Sequence, residues 1–245
     1  MTLNLSDSVL QRRVFNQNIY NLHRQHYMLG QTAKFIDKNS IVLDIGAAVG
    51  MYTHFWAGLA KHVYSFEAVP PVYEQLKLVA DRNDNVTAIN YAVGREDKDE
   101  VTFYVDDKRL SNSGLRDLVG GQPITVEMVS IDSWAQSWID SSPDNMGIGL
   151  IKIDVEGNEL DVLRGATLTI SNERPAVMCE VYPKFNDGPV ADTFHFLMDI
   201  GYRCFYNIRG QGLKEITSVA EGVDVASNEQ LIPLHDGDFL FVYKD

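Results

Sequence analysis

The fold of this 245-residue chain is decided by residues 42–50, which are VLDIGAAVG. The first of them belong to a short apolar run that predicts a buried strand. Gly46 and Gly50 predict a tight turn after this strand, because glycine lets the backbone come close to a ligand. A helix predicted from about Met51 would direct its free N–H groups at whatever lies at the turn. A strand, a glycine turn and a helix in this order indicate a cofactor site.

Strands and helices alternate along most of the remaining sequence. Besides the first strand, apolar runs predict strands at 63–66, 86–93, 150–153, 176–179, 203–208 and 239–243. Helices are predicted at 51–60, 70–79, 158–170 and 192–200. This alternation predicts the α/β class, with a Rossmann-like, mostly parallel sheet of seven strands and helices on both faces.

Two segments depart from this alternation. Apolar spacing predicts a helical segment from about residue 6 to residue 37, which would form a lid or collar before the main domain. Residues 101–105 and 125–129 predict two strands of an inserted antiparallel piece. The predicted boundaries are 1–38 for the helical segment, 39–245 for the main domain and 100–131 for the β insertion within it.

Composition and charge exclude several classes of function. The formal net charge is -13 and no Lys/Arg cluster stands out, so nucleic acid and anionic membranes are not expected partners. No apolar run is long enough to span a bilayer, and the N-terminus lacks the layout of a signal peptide. We therefore expect a soluble, cytoplasmic protein. Cys179 and Cys204 lie in apolar runs and are expected to be core thiols.

The glycine turn is compatible with two kinds of cofactor. A dinucleotide site has the pattern G-x-G-x-x-G, but this chain has Gly46, Ala48 and Met51 at the three positions. Asp44 lies just before the turn, where a carboxylate would repel pyrophosphate and suit a cation. S-Adenosylmethionine carries an ammonium and a sulfonium group, so the charge favours this methyl donor. A nicotinamide-dependent oxidoreductase is the alternative.

Further cofactor contacts are predicted at the ends of the next two strands. Glu67 ends the strand at 63–66 and can accept hydrogen bonds from both ribose hydroxyls of an adenosine, in either kind of cofactor. Asn90 lies near the end of the third strand, where it either contacts the adenine edge or is a strand residue without a ligand. Small side chains at Ala47 and Ala48 keep the path to the turn open.

The chemistry is predicted at residues 152–159, KIDVEGNE, where the fourth strand ends. Alternation along a strand directs Lys152, Asp154 and Glu156 to one side. A strand end with this many charges is costly unless partners are present, so the charges indicate function. Glu180 ends the next strand and would lie near Asp154 if the two strands are neighbours.

Several roles are open for the Asp154 and Glu180 carboxylates. One of them could act as a general base on an acceptor hydroxyl. The pair could instead hold a divalent cation that lowers the pKa of that hydroxyl, although the sequence shows no clear third ligand. Glu180 could also form an ion pair with Lys152 or Lys184. No metal ligand is assigned from these residues.

Four motifs resemble the FkbM family of methyltransferases. They are VLDIGAAVG at 42–50, SFEAVP at 65–70, IKIDVEGNE at 151–159 and LRGA at 163–166, and the resemblance covers roughly residues 40 to 183. It implies a class I methyltransferase fold, S-adenosylmethionine as the donor, and O-methylation of a carbohydrate or natural-product hydroxyl. The expected partner is therefore a small-molecule or carbohydrate acceptor, and neither its identity nor the oligomeric state follows from the sequence.

The resemblance also implies roles for individual residues. It places Asp154 close to the reacting centre, and residues 111–114 resemble a small polar segment in the inserted region of the family. Ala48 stands where the family often has Asn, which suggests a missing polar contact and leaves a non-catalytic S-adenosylmethionine-binding or scaffold protein as another alternative. The candidate catalytic residues are Asp154, Glu180 and Lys152. The candidate cofactor-binding residues are Asp44, Gly46, Ala47, Gly50, Glu67, Ala68, Asn90 and Asp154.

Overall fold

The computed structural model describes seven stretches of the chain, and everything below refers to them. They are residues 26–106, 113–117, 120–141, 147–183, 188–208, 211–231 and 237–244. Most of the predicted N-terminal helical segment, residues 111 and 112 of the insertion, and Lys184 lie outside the described residues.

The bounds of the helices and strands follow the order of the chain. The helices are α1 (His26–Thr32), α2 (Met51–Ala57), α3 (Pro70–Ala80), α4 (Ile131–Ser141), α5 (Glu159–Arg164), α6 (Thr167–Glu173), α7 (Ala191–Met198) and α8 (Val219–Ser227), with a 3-10 turn at Ala33–Phe35. The strands are β1 (Ile41–Ile45), β2 (His62–Phe66), β3 (Val86–Ile89), β4 (Ala92–Val93), β5 (Lys98–Val105), β6 (Gln122–Val129), β7 (Ile148–Ile153), β8 (Ala176–Glu180), β9 (Tyr202–Ile208), β10 (Gly212–Ile216) and β11 (Asp238–Tyr243).

The main sheet confirms the α/β class but has eight strands instead of the predicted seven. Its order is β10-β9-β11-β8-β7-β1-β2-β3. The five strands from β8 to β3 run parallel, whereas β11 is antiparallel to both β8 and β9. The unpredicted strand, β10, pairs antiparallel with β9 at the edge, so the sheet is mixed. The charged pattern GLKEI of β10 has no continuous apolar run, which is why apolar content did not indicate a strand there.

The centre of the sheet is buried on both faces. All five residues of β1 are buried, as expected for a central parallel strand covered by helices on two sides. Leu43 packs into the cluster on one face together with residues of α5, α7 and α8. Val42 packs into the cluster on the other face, which contains Trp56 of α2. Cys179 and Cys204 are both buried thiols, as predicted.

The predicted third strand at 86–93 is wrong as a single strand. The chain leaves the main sheet after Ile89, and Ala92 begins β4 in a second sheet of order β4-β6-β5. The break occurs at Asn90, whose side-chain nitrogen donates to the carbonyl oxygens of Glu67 and Ala68 at 2.7 and 3.2 Å. Alternating apolar residues indicate that a segment is extended, but they do not indicate which sheet it joins.

The predicted helix at 158–170 is divided into α5 and α6. Between them, Gly165 lies so close to the end of β4 that a Cβ atom there would be 2.1 Å from the carbonyl oxygen of Gly94. The break thus lies at a glycine that ends α5 and packs against a distant part of the chain. No helix within the described stretches has both the length and the apolarity that a bilayer crossing requires.

Candidate active site

The glycine turn follows β1 at the carboxyl end of the parallel strands. The backbone N–H groups of Gly46 and Ala47 both donate to the carbonyl oxygen of Phe66, which ties the turn to the end of β2. Gly46 has φ +74°, and a Cβ atom there would lie 1.8 Å from the carbonyl oxygen of Asp154. Glycine is therefore required at this position both by the backbone conformation and by the close approach of the chain after β7.

Two further residues of the turn have left-handed backbone. Gly50 has φ +83° and precedes α2, and a Cβ atom there would come within 2.8 Å of Leu76. Ala48 has φ 49°, a conformation that favours Asn over Ala among residues with a side chain. The Asn that the family often has at this position would therefore suit the backbone itself, independently of any contact with a ligand.

Glu67 lies against the turn at the end of β2. Its Oε2 accepts a hydrogen bond from Ala48 N at 3.0 Å and its Oε1 accepts one from Val69 N at 2.8 Å. Only 9% of the residue is exposed. Burial raises the pKa of Glu67 to about 7, although the two backbone N–H groups and the charge of Lys152 act in the opposite direction. The carboxyl group is thus held in a fixed place where it changes ionisation near neutral pH.

Asn90 and Ala68 both lie beside Glu67. The amide nitrogen of Asn90 is engaged with the two carbonyl oxygens described above, so Asn90 fixes the backbone that carries Glu67. Ala68 is 9% exposed and Ala47 is 6% exposed, so both are buried beside the turn, and an open path to the turn stays a prediction. Contact of Asn90 with an adenine edge stays a prediction.

Asp44 is fully buried, and the chain itself supplies its partners. Thr53 Oγ1 donates to its Oδ2 at 2.6 Å, and Lys152 Nζ lies 3.5 Å from its Oδ1. In the sequence, the negative charge of Asp44 favours a cationic over an anionic cofactor. Because Lys152 balances that charge inside the protein, the charge of Asp44 does not distinguish the two cofactors.

Lys152 is surrounded by oxygen atoms. Its Nζ donates to the carbonyl oxygen of Gly46 at 2.7 Å and lies 3.3 Å from Asp154 Oδ2, while only 3% of the residue is exposed. Burial alone would lower the pKa of Lys152, but the carboxylates of Asp154 and Asp44 outweigh it and hold the pKa above its usual value. Lys152 is therefore a permanent buried cation between the turn and the end of β7.

The predicted proximity of Asp154 and Glu180 is observed, and a third carboxylate joins them. Side-chain oxygens of Asp154, Glu156 and Glu180 all lie within 4.8 Å of one another. Burial raises the pKa of Glu180 well above its usual value, and the charges of Asp154 and Glu156 raise it further. Such a group can share a proton or hold a divalent cation, and the third ligand that the sequence did not identify is Glu156.

Glu159 supports the turn that carries these acids, a role the sequence analysis missed. Its Oε1 accepts hydrogen bonds from Val155 N at 3.1 Å and Gly157 N at 2.9 Å. Glu156 and Gly157 in this turn have φ 55° and 99°. Glu159 is 2% exposed, and burial raises its pKa to about 7. The signal in the sequence that could have indicated this role is an acidic residue two positions after Gly157.

The β insertion reaches the same turn. Arg116 donates a side-chain hydrogen bond to the carbonyl oxygen of Gly157. Gly114 exchanges two backbone hydrogen bonds with Tyr104 of β5, which brings residues 113–117 back over the turn. A Cβ atom at Gly114 would lie 3.5 Å from the carbonyl oxygen of Glu156. The insertion therefore forms one wall of the candidate site.

Comparisons with known proteins find methyltransferases among the proteins that are similar to this chain. The hexuronic acid methyltransferase AglP of Haloferax volcanii is 24% identical over 132 residues, which are 54% of this chain and 52% of AglP. A crystal structure of methyltransferase FkbM from Methylobacillus flagellatus KT has a TM-score of 0.52 at 18% identity, covering 84% of this chain and 44% of that chain. The chain thus spans about half the length of each of these two proteins, and the second shows a shared fold.

The family assignment comes from the match to a family model. The description of that model is methyltransferase FkbM domain, and it matches residues 44–206, which include the glycine turn, Glu67 and the three clustered carboxylates. The matched region begins near the end of β1 and ends within β9, so it contains the parallel strands β2, β3, β7 and β8 and the insertion. This chain belongs to the FkbM family of methyltransferases.

Proposed function

We propose that this chain transfers the methyl group of S-adenosylmethionine to a hydroxyl oxygen of a carbohydrate or a similar natural-product acceptor. The observation that carries the proposal is the Glu67 carboxyl, which is fixed against the glycine turn of a methyltransferase-family chain. A carboxylate at the end of the second strand can accept hydrogen bonds from both hydroxyls of a ribose.

The residues at the turn fit the methyl donor. Gly46 and Gly50 let the turn pack closely against Asp154 and Leu76, and Ala47 adds only a small side chain beside them. Glu67 would bind the ribose with the carboxylate oxygens that now accept backbone hydrogen bonds from Ala48 and Val69. When bound, S-adenosylmethionine supplies an electrophilic methyl group next to a positively charged sulfur.

The clustered carboxylates can perform the proton chemistry of the transfer. The bond between the acceptor oxygen and the methyl carbon forms while the carbon–sulfur bond breaks, and the hydroxyl proton must leave. Asp154, with 27% of its side chain exposed, is accessible to an acceptor and can take that proton as a general base. Glu180, whose pKa is raised, is a stronger base than an ordinary carboxylate once it is ionised.

A divalent cation is the other role for the same carboxylates. Asp154, Glu156 and Glu180 offer three oxygens within 4.8 Å, which suits the oxygen ligands that magnesium prefers. A cation there would lower the pKa of the acceptor hydroxyl in place of a general base. Activity in the presence and absence of a chelator separates the two mechanisms.

The acceptor class is proposed from one relative, and the place where an acceptor would bind is proposed from the structure. AglP, which is similar over about half its length, is a hexuronic acid methyltransferase. The side chain of Asp154 is 27% exposed and would be the point of approach for an acceptor, beside the insertion residues Gly114 and Arg116. A hydroxyl of a hexuronic acid or a related sugar is the first acceptor to test.

The experiment incubates the purified protein with S-adenosylmethionine and a panel of glycosides of glucuronic acid, galacturonic acid and glucose. Formation of S-adenosylhomocysteine and of a methylated sugar is followed by mass spectrometry, with and without EDTA. A methylated sugar whose methyl group survives mild alkali, as a methyl ether does and a methyl ester does not, supports the proposal, and its loss with EDTA favours the cation mechanism. Binding of S-adenosylhomocysteine without methylation of any hydroxylated acceptor would support the non-catalytic alternative instead.

A further inference from the structure

Lys152 joins two parts of the candidate active site that belong to different strands. Its ammonium group donates to Gly46 O at 2.7 Å, lies 3.5 Å from Asp44 Oδ1 and lies 3.3 Å from Asp154 Oδ2. Gly46 and Asp44 belong to β1 and its turn, whereas Asp154 follows β7. Since Asp44 and Lys152 are directly paired between the two strands, the link is short and rigid.

The ammonium group is enclosed by these oxygens. A lysine ammonium has three N–H donors, and three oxygens of Gly46, Asp44 and Asp154 surround it. Lys152 is 3% exposed, and the ring of Tyr52 covers it further at 5.6 Å. A cation in this position neither reaches an acceptor hydroxyl nor gives up a proton near neutral pH.

We propose that Lys152 is a positioning residue that fixes the Asp154 carboxylate relative to the methyl-donor turn. The inference rests on the proposed function, because it assigns the alignment of donor and base to one buried cation. Methyl transfer needs the donor carbon, the acceptor oxygen and the base in one geometry, so a displacement of about 1 Å lowers turnover by about 100-fold. Lys152 thereby acts through Asp154 and not on the acceptor.

The test compares four variants in the full chain. Lys152→Met removes the cation, Asp154→Ala removes its partner, and a double variant removes both. Lys61→Gln is the matched control, because Lys61 is exposed and precedes β2 at the opposite end of the sheet. Each is measured for S-adenosylhomocysteine affinity by calorimetry and for kcat and acceptor KM with the glycoside that the wild-type chain methylates.

The expected result is a split between turnover and binding. Lys152→Met lowers kcat by about 100-fold while acceptor KM changes by less than about threefold, and Lys61→Gln changes neither. The double variant has the same kcat as Asp154→Ala, because Lys152 acts through that residue. An additional loss of kcat of about tenfold or more in the double variant would overturn the proposal. A Lys152→Met variant in which kcat falls, acceptor KM rises by a similar factor and S-adenosylhomocysteine no longer binds would also overturn it.

A second measurement does not depend on folding of the single variant or on an acceptor. Lys152→Met leaves the buried Asp44 carboxylate without its cation, so Asp44→Asn is added to restore neutrality. Hydrogen exchange in this double variant is expected to rise at residues 46–50 and at 154–157 together. A rise at one segment alone would contradict the link. Failure of the wild-type chain to bind S-adenosylhomocysteine would instead refute the proposed function, and the exchange result would still decide the role of Lys152.

Discussion

The pH dependence of cofactor binding is the sharpest consequence of the buried Glu67 carboxyl. Burial raises its pKa to about 7, and ribose hydroxyls donate to the ionised form. With a pKa of about 7, roughly a tenth of Glu67 is ionised at pH 6 and about nine tenths at pH 8. We therefore predict that the Kd for S-adenosylhomocysteine is about tenfold weaker at pH 6 than at pH 8.

The stability of the protein without cofactor changes with pH in the opposite direction to cofactor binding. The pKa of Glu67 is 4.5 in the absence of shifts and about 7 in the fold, so the folded state binds more protons between these values. The free energy of unfolding therefore decreases as pH rises from about 4.5 to 7, by about 3 kcal/mol from this residue. Glu159 contributes in the same window and the same direction, because its pKa is also about 7.

The matched control for the predicted pH dependence of cofactor binding is Glu159→Gln. Glu159 is as buried as Glu67 and has a similar pKa, but it binds the turn after β7 and is not assigned to the ribose. Calorimetry from pH 6 to pH 8 is expected to show that Glu67→Gln removes the pH dependence of binding and Glu159→Gln retains it. 5′-Methylthioadenosine, which keeps the ribose but has no ammonium group, repeats the test without a titrating ligand. A flat profile in the wild-type chain would refute the ribose assignment.

Three further predictions concern the turn and the carboxylates. Asp154→Ala should lower kcat by about 100-fold to 10,000-fold, the usual contribution of a general base, while the Kd for S-adenosylmethionine changes little, and full turnover in this variant would contradict the catalytic assignment. Gly46→Ala should lower the free energy of unfolding by about 3 kcal/mol or more, because Gly46 has a positive φ and a Cβ atom there would collide with the backbone of Asp154. The control Gly30→Ala, at an open position in α1, should not lower the free energy of unfolding, and denaturant titration of both variants makes the comparison. Ala48→Asn should raise the melting temperature through a gain of about 1 kcal/mol, because Asn tolerates left-handed backbone.

The local sequence carries the central strands and the cofactor turn because their causes are local. The apolar residues 41–43 favour a buried strand, and the glycines at 46 and 50 permit the left-handed turn that follows it. The proximity of Asp154 and Glu180 could also be predicted, because β7 and β8 are adjacent parallel strands that end at the same edge of the sheet. Glu156 joins these two acids from the turn after β7, where its φ of 55° ends the alternation of the strand.

The features that could not be predicted depend on distant contacts. Asp44 was assigned to the cofactor because nothing near it in sequence shows that Lys152 balances its charge. The break in the helix at Gly165 requires knowledge that Gly94 lies against it. The helix α8 was not predicted either, although it has a local signal. Ser218 accepts a hydrogen bond from Glu221 N at the helix start, and this Ser–Glu spacing is typical of a helix N-terminus.

The central claim is that the glycine turn and Glu67 bind S-adenosylmethionine. Isothermal titration of the purified chain with S-adenosylmethionine, S-adenosylhomocysteine and NAD in parallel tests it most directly. Micromolar binding of the first two, weakened in Glu67→Ala, and no binding of NAD is the predicted result. Binding of NAD alone, or of none of the three, would contradict the account.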